Sequence, residues 1–463
     1  MWTRSGLFSC VAVLFAPLCG FASAPAVAQP AQSPPNLIII LTDDQGYADV
    51  GFNGCRDIPT PNIDRIAKEG VRCTEGYVTY SVCGPSRAGL MTGRYQDRFG
   101  FTTNPTIDPS NPDAGIPLSE KNIAELLDPA GYTSMAVGKW HLGTHPRLRP
   151  LSRGFDEFFG FLSGGHNYFP EQYDLNDLSD VKRQWDWYRT RLLRDNERVD
   201  IDGYLTDELS DAAVDFVKRR HRDGPFFLYL AYNAPHTPMQ ATQKYLDRFP
   251  DIPNERRRTY AAMVSAVDDG VGRLLDTLDE LALAENTIVF FLSDNGGASN
   301  NASRNAPLRG NKSTMFEGGL RVPFAVRWTG TLPAGADYHK PVSSLDIAAT
   351  IVTHAGVDIN PDKPLDGVDL VPFLTGQNRA RPHPVMYWRM VPRDGLAIRR
   401  GDEKLILCEK DGGRMLFNIA EDQRERNNLV NARGAVAAEL EAMIQGWTAD
   451  FPGPAFPPLG SWP

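Results

Sequence analysis

The run Cys83-Gly84-Pro85-Ser86-Arg87 places a thiol, a helix-starting proline and a cation within a single helical turn's reach. Pro85 suits the first turn of a helix, where its missing N–H costs nothing. Cys83 then stands at the mouth of that helix, where unpaired N–H groups and the helix dipole attract an anion. Arg87 lies one turn further along the same face. A nucleophile, an anion-binding terminus and a cation so placed suit a sulfate or phosphate group. A structural role competes with this. Of the six cysteines, Cys10 and Cys19 leave with the N-terminal leader expected below, so Cys83 remains with Cys55, Cys73 and Cys408, and four cysteines in an exported chain suggest two disulfides in any of three pairings.

Such a site needs elements to carry it. Four apolar runs end in residues able to do chemistry. Asn36–Leu41 ends at Asp43 and Asp44, and Tyr132–Val137 at Lys139 and His141. Phe226–Ala231 ends at His236, and Thr287–Leu292 at Asp294 and Asn295. Continuous β-branched and aromatic runs of this length read as parallel strands buried on both faces. Helical patterns lie between them at Asn62–Lys68, Ser119–Leu127, Thr206–Arg220 and Glu255–Leu283. Alternation of this kind predicts an α/β fold with a mostly parallel central sheet flanked by helices. Ligands of such sheets sit outside the carboxyl ends of the strands, so all four polar sets are expected in one site.

The Cys83 run, continued by Leu90-Met91-Thr92-Gly93-Arg94, resembles the signature of the type I, formylglycine-dependent sulfatases, of the alkaline-phosphatase-like superfamily. Asp43-Asp44-Gln45-Gly46 is similar to that family's first metal motif, and Gly138-Lys139-Trp140-His141 to its Gly-Lys-x-His motif. Ala234-Pro235-His236-Thr237-Pro238 and Ser293-Asp294-Asn295-Gly296-Gly297 match two more. Leu308-Arg309-Gly310-Asn311-Lys312 with Glu317-Gly318-Gly319 matches the last. The resemblance runs through essentially the whole mature chain in the family's order.

Asp43, Asp44, Asp294 and Asn295 offer only oxygen ligands, which suits a hard cation, Ca²⁺ or Mg²⁺. No histidine adjoins these acids in sequence. The resemblance implies that Cys83 is oxidised to formylglycine by a formylglycine-generating enzyme during maturation. In the mechanism it implies, a hydroxyl of the hydrated aldehyde attacks sulfur, with Asp294 as base. His236 or Lys312 supports the leaving alcohol, and His141 takes the last proton before sulfate is expelled. Arg87 and Lys139 would neutralise charge at the modified residue, while Lys312 and His236 hold the sulfate oxygens. The implied partner is a sulfated carbohydrate or another sulfate ester. Gly164–Phe169, Trp185, Trp187 and Tyr188 favour a sugar, because aromatics stack on sugar rings. A phosphodiester or phosphonate monoester hydrolase on the same fold is the nearest alternative. A non-catalytic binder of sulfated glycans, with Cys83 never converted, is another.

The rest of the chain frames this reading. Its 463 residues are 42% hydrophobic and 23% charged, an ordinary globular composition, and the net charge of −9 argues against a nucleic-acid partner. Arg4, the apolar stretch Leu7–Ala22 and Ala26-Val27-Ala28 predict a signal peptide cleaved after Ala28, and hence a periplasmic or extracellular protein. No later run spans a membrane. Cys55 and Cys73 flank one predicted helix and are a candidate disulfide. The catalytic domain is expected over 29–377. Over 378–463 the segments Val385–Arg389, Leu396–Arg400, Lys404–Cys408 and Arg414–Asn418 predict an antiparallel sheet in a smaller α+β domain, followed by a helix at Ala435–Trp447 and an extended tail at Phe451–Pro463. Asn301 and Asn311 match the glycosylation pattern.

Overall fold

The computed structural model describes residues 1–3, 5–9 and 34–457. The chain divides into two units, Met1–Ser33 and Pro34–Pro463. The described residues of the first hold no regular element, and the expected cleavage point at Ala28 lies outside them. No helix among the described residues is long and apolar enough to cross a membrane.

Ten strands of the second unit form one sheet. Their order is Ala336–Tyr338, Val71–Cys73, Phe324–Arg327, Thr287–Ser293, Asn36–Thr42, Phe226–Ala231, Thr133–Lys139, Glu157–Phe161, Leu192–Arg194 and Glu197–Val199. The five strands from Thr287–Ser293 to Glu157–Phe161 are mutually parallel. The sequence Leu37-Ile38-Ile39-Ile40-Leu41 explains why. Leu37, Ile39 and Leu41 enter the core on one face, and Ile38 and Ile40 the core on the other. Both faces must therefore be covered. Helices Pro61–Lys68, Leu205–Arg220 and Glu255–Glu280 cover one face, and Cys83–Thr92 and Leu345–His354 the other. The antiparallel strands are short and sit toward the edges.

Two expectations change. The helix expected over Ser119–Leu127 spans only Ile123–Leu127. Asn122 starts it with a capping box to Glu125, and a 3₁₀ turn containing Pro129 follows at once. Cys55 and Cys73 are not bonded to each other; both are free thiols. They pack into cores on opposite faces of the main sheet, and Cys55 Sγ instead donates to Asp57 Oδ1 at 3.3 Å. The expected tail holds no helix or strand over its described part, and it is docked on the large unit. Phe456 is buried edge-on against Phe101, and Ala455 N donates to Gly100 O.

Strands Val385–Met390, Gly395–Arg400, Glu403–Cys408 and Gly413–Asn418 form a separate antiparallel sheet. Ile398, Leu405 and Leu416 pack on Ala437, Leu440 and Ile444 of helix Gly434–Thr448. The other face, with Met386, Trp388, Ile406 and Phe417, packs on Tyr77, Met315, Phe316 and Leu320. A buried cross-link reinforces this contact: Lys404 Nζ meets Glu317 Oε1 at 2.8 Å and Glu425 Oε1 at 3.0 Å. The small sheet thus buttresses the loop that carries Lys312.

Candidate active site

All the strand-end residues converge where the sequence pattern put them, at the carboxyl edge of the parallel strands. Cys83 is the first residue of helix Cys83–Thr92, every residue of which is buried. Arg87, one turn on, reaches across the strand ends. Its Nε donates to Asp294 Oδ2 at 2.9 Å, its Nη2 lies in ion-pair contact with the same oxygen at 2.9 Å, and Nη1 donates to the carbonyl of Lys139 at 3.0 Å. Lys139 Nζ donates to Asp43 Oδ2 at 2.5 Å. The side chains of Arg87, Lys139, Asp43 and Asp294 are fully buried. Such burial is tolerable only because every charge has a partner.

Asp44 and His141 leave their strands in left-handed conformations, with φ of 62° and 58°. Each costs about 1–3 kcal/mol for a residue with a side chain, and the packed surroundings must hold it. Asp44 accepts from Lys312 Nζ at 2.7 and 2.9 Å and from Asn295 Nδ2 at 2.7 Å. Its amide donates to Asp294 Oδ1 at 3.3 Å. Lys312 Nζ also lies 3.8 Å from Cys83 Sγ. Although remote in sequence, His236 does adjoin the acids in space: its Nε2 is 3.6 Å from Asp44 Oδ2. Its Nδ1 is 2.6 Å from the carbonyl of Thr237. A carbonyl only accepts, so Nδ1 carries the proton and neutral His236 presents a bare Nε2.

The electrostatics follow from this geometry. Burial, reinforced by Asp294, pushes Asp43 up to about 7 against the pull of Lys139 and Arg87. Burial also works against ionising Asp44, but the charge of Lys312, with hydrogen bonds from Lys312 and Asn295, outweighs it and holds Asp44 down at about 2. Asp44 in turn keeps Lys312 charged despite its burial. Burial drives His236 down to about 3 and His141 well below its usual value, with the neighbouring cations adding to the effect for His141. Both imidazoles are therefore neutral near pH 7. His141 has neither ring nitrogen hydrogen-bonded, although the ring is buried.

Several buried acceptors lack partners here. Asp43 Oδ1 and Asn295 Oδ1 receive no hydrogen bond. Ligand atoms of Asp43, Cys83 and Asp294 lie within 4.8 Å of one another, as do those of Asp43, Asp44 and His236. Unsatisfied buried oxygens are costly, and a cluster of them fits a hard divalent cation.

Other residues at the site carry no signal in their own neighbourhood of sequence. Asn104 Oδ1 accepts from the amide of Gly84 at 2.9 Å and lies 3.9 Å from Cys83 Sγ. Asn301 is fully buried and donates to the carbonyls of Asp44 and Pro235. Its glycosylation pattern is thus inaccessible in the folded chain. Gly164 sits under His141, where an added Cβ would stand 2.8 Å from the ring's Nε2. Together these groups floor a cavity of about 430 Å³ lined by Asp44, Cys83, His141, His236 and Lys312, with Trp185, Trp187 and Tyr188 forming a wall.

Comparison with known proteins accords with this geometry. The family profile described as Sulfatase matches residues 35–357, and that described as N-sulphoglucosamine sulphohydrolase, C-terminal, matches residues 310–448. The chain is 39% identical over 373 residues to N-acetylgalactosamine-6-sulfatase of Mus musculus, covering 78% of this chain and 69% of that protein. The structure of Ps i-CgsB in complex with k-i-k-neocarrahexaose superposes with a TM-score of 0.86 at 39% identity, over 92% of this chain and 95% of that one. The phosphonate monoester hydrolase of Agrobacterium radiobacter shares the fold, with a TM-score of 0.64 at 20% identity over 89% of this chain and 96% of that one.

Proposed function

The chain belongs to the sulfatase family of the alkaline-phosphatase-like superfamily, and from that premise we propose that it hydrolyses a sulfate ester of a carbohydrate at a nucleophile made from Cys83. The observation that carries this reading is the placing of Cys83 at a buried helix mouth with Lys312 3.8 Å from its sulfur and Asp43 and Asp294 beside it. A sugar substrate is supported by the relatives, one named N-acetylgalactosamine-6-sulfatase and another described in complex with k-i-k-neocarrahexaose.

Formylglycine at position 83 would supply, as its hydrate, a hydroxyl nucleophile and a second hydroxyl through which sulfate is released. A Ca²⁺ or Mg²⁺ ion would be held by Asp43, Asp44, Asp294 and Asn295 and would draw charge from the sulfate oxygens. The chain's own residues do the rest. Arg87 and Lys139 balance Asp294 and Asp43, so the floor stays ordered around the reacting residue. Lys312 keeps its charge and stands where negative charge develops. It is the better placed of the two residues expected to support the leaving oxygen, because neutral His236 presents an acceptor at Nε2. His141, neutral and without hydrogen bonds at either nitrogen, is free to accept a proton.

The test is sulfate release from a panel of sulfated mono- and oligosaccharides, beside turnover of an aryl phosphodiester. The reading requires faster turnover of the sulfate esters and their loss in Cys83→Ala. Preferred turnover of the phosphodiester, or full activity in that variant, would overturn it. Export through a leader ending at Ala28 and maturation by a formylglycine-generating enzyme belong to the same proposal.

A further inference from the structure

Trp185 combines three features that rarely meet. It is 53% exposed, among the most exposed large hydrophobic side chains of the described residues. Its φ of 76° puts a bulky residue in the left-handed region, an arrangement that persists only when the surroundings impose it. It also lines the cavity above Cys83. Its ring is braced at 5.2 Å from that of Trp187 and 5.9 Å from that of Tyr188, so it stands as a fixed plate rather than a loose side chain.

The cavity's charges are just as uneven. Lys312, His141 and His236 are its only basic lining residues among those described; Lys312 Nζ lies 3.8 Å from Cys83 Sγ and His236 Nε2 3.6 Å from Asp44 Oδ2. Apart from Asp44 and Cys83, the other lining residues are aromatic, aliphatic or neutral polar, including Ile107, Thr237 and Asn300. A second anionic group on the same ring would meet no further cation among the described lining residues and would lose hydration uncompensated. A neutral sugar ring has an apolar C–H face for the aromatic plate and hydroxyls for the polar rim.

We propose that Trp185 is the specificity-determining platform of the site, and that it selects a sulfate ester borne on a neutral hexose or N-acetylhexosamine ring with no carboxylate or second sulfate on that ring. The inference rests on the sulfatase reading above and narrows its substrate class.

The test compares kcat/KM of the mature enzyme for a singly sulfated neutral sugar and for a uronate or doubly sulfated ring, in wild type, Trp185→Ala and Trp185→Phe. The neutral ring should be preferred at least about tenfold. Trp185→Ala should lower kcat/KM for it about tenfold, the scale of one lost aromatic contact, and Trp185→Phe should restore most of it. Inhibition by inorganic sulfate, which engages only the floor, should change less than about twofold. Equal or better turnover of the doubly anionic ring, or an unaffected Trp185→Ala, overturns the inference while leaving the sulfatase reading intact. A wild-type enzyme that releases sulfate from no ester overturns both, and locates the error in the reading of Cys83.

Discussion

The ammonium of Lys312 stands 3.8 Å from the sulfur of Cys83. The same nitrogen holds both carboxylate oxygens of Asp44, at 2.7 and 2.9 Å. One side chain therefore joins the nucleophile's position to the acidic cluster. Lys312→Ala should lower kcat/KM for a sulfate ester by about 10²–10³, the scale for removing one preorganised charge from a developing oxyanion. Steady-state kinetics check this, and a loss under about threefold would remove Lys312 from the chemistry.

Removal of metal should cost both activity and stability. Chelation should abolish sulfate release, and Ca²⁺ or Mg²⁺ should restore it. Thermal unfolding gives a readout independent of turnover. Each tenfold excess of the ion over its dissociation constant should add about 1.4 kcal/mol of stability in wild type. Asp294→Asn should blunt that response. An unfolding temperature indifferent to the ion would contradict the oxygen cluster's assignment.

Gly164 makes room for His141. An alanine there would press its Cβ to 2.8 Å from the ring. Gly164→Ala should cut kcat about 10²-fold through displacement of the imidazole, with circular dichroism and unfolding little changed. Normal kinetics in this variant would show that His141's position is not critical.

A pH dependence of stability is expected from a pair outside the cavity lining. His383 Nε2 lies 2.7 Å from Asp346 Oδ1. Burial opposes protonation of His383, but the Asp346 charge and hydrogen bond outweigh it and raise its pKa above 6.5. The pair's stabilisation is therefore complete below the unfolded value and is lost as pH rises through the folded one. Urea midpoints measured from about pH 6 to about pH 9 should fall in wild type, and fall less in His383→Gln. Parallel curves would refute it.

Most of the frame is legible in sequence because strands covered on both faces must be apolar throughout. Asn36–Thr42, Thr287–Ser293 and Phe226–Ala231 announce themselves in that way. The polar ends of these strands announce the site, since charged residues directly after such strands have nowhere to go but a shared carboxyl edge. Short edge strands such as Leu192–Arg194 have no such signature. The helix at Ile123–Leu127 is set by Asn122 and Glu125, a local capping signal that outweighs the apolar pattern beginning at Ser119. Asn104, Asn301 and Gly164 matter through contacts made across the fold, so the sequence marks Asn104 not at all, and Asn301 and Gly164 only for other roles, a glycosylation pattern and a sugar-facing loop. Cys55 and Cys73 show the opposite error. Their nearness in sequence suggests a bond, yet the sheet stands between them.

The most direct test of the whole account is the mass of the peptide containing Cys83, taken from protein made in its native host. The account predicts the aldehyde of formylglycine at position 83, with Cys55, Cys73 and Cys408 all present as thiols. An unmodified thiol at Cys83 in enzyme that releases sulfate at full rate would contradict it.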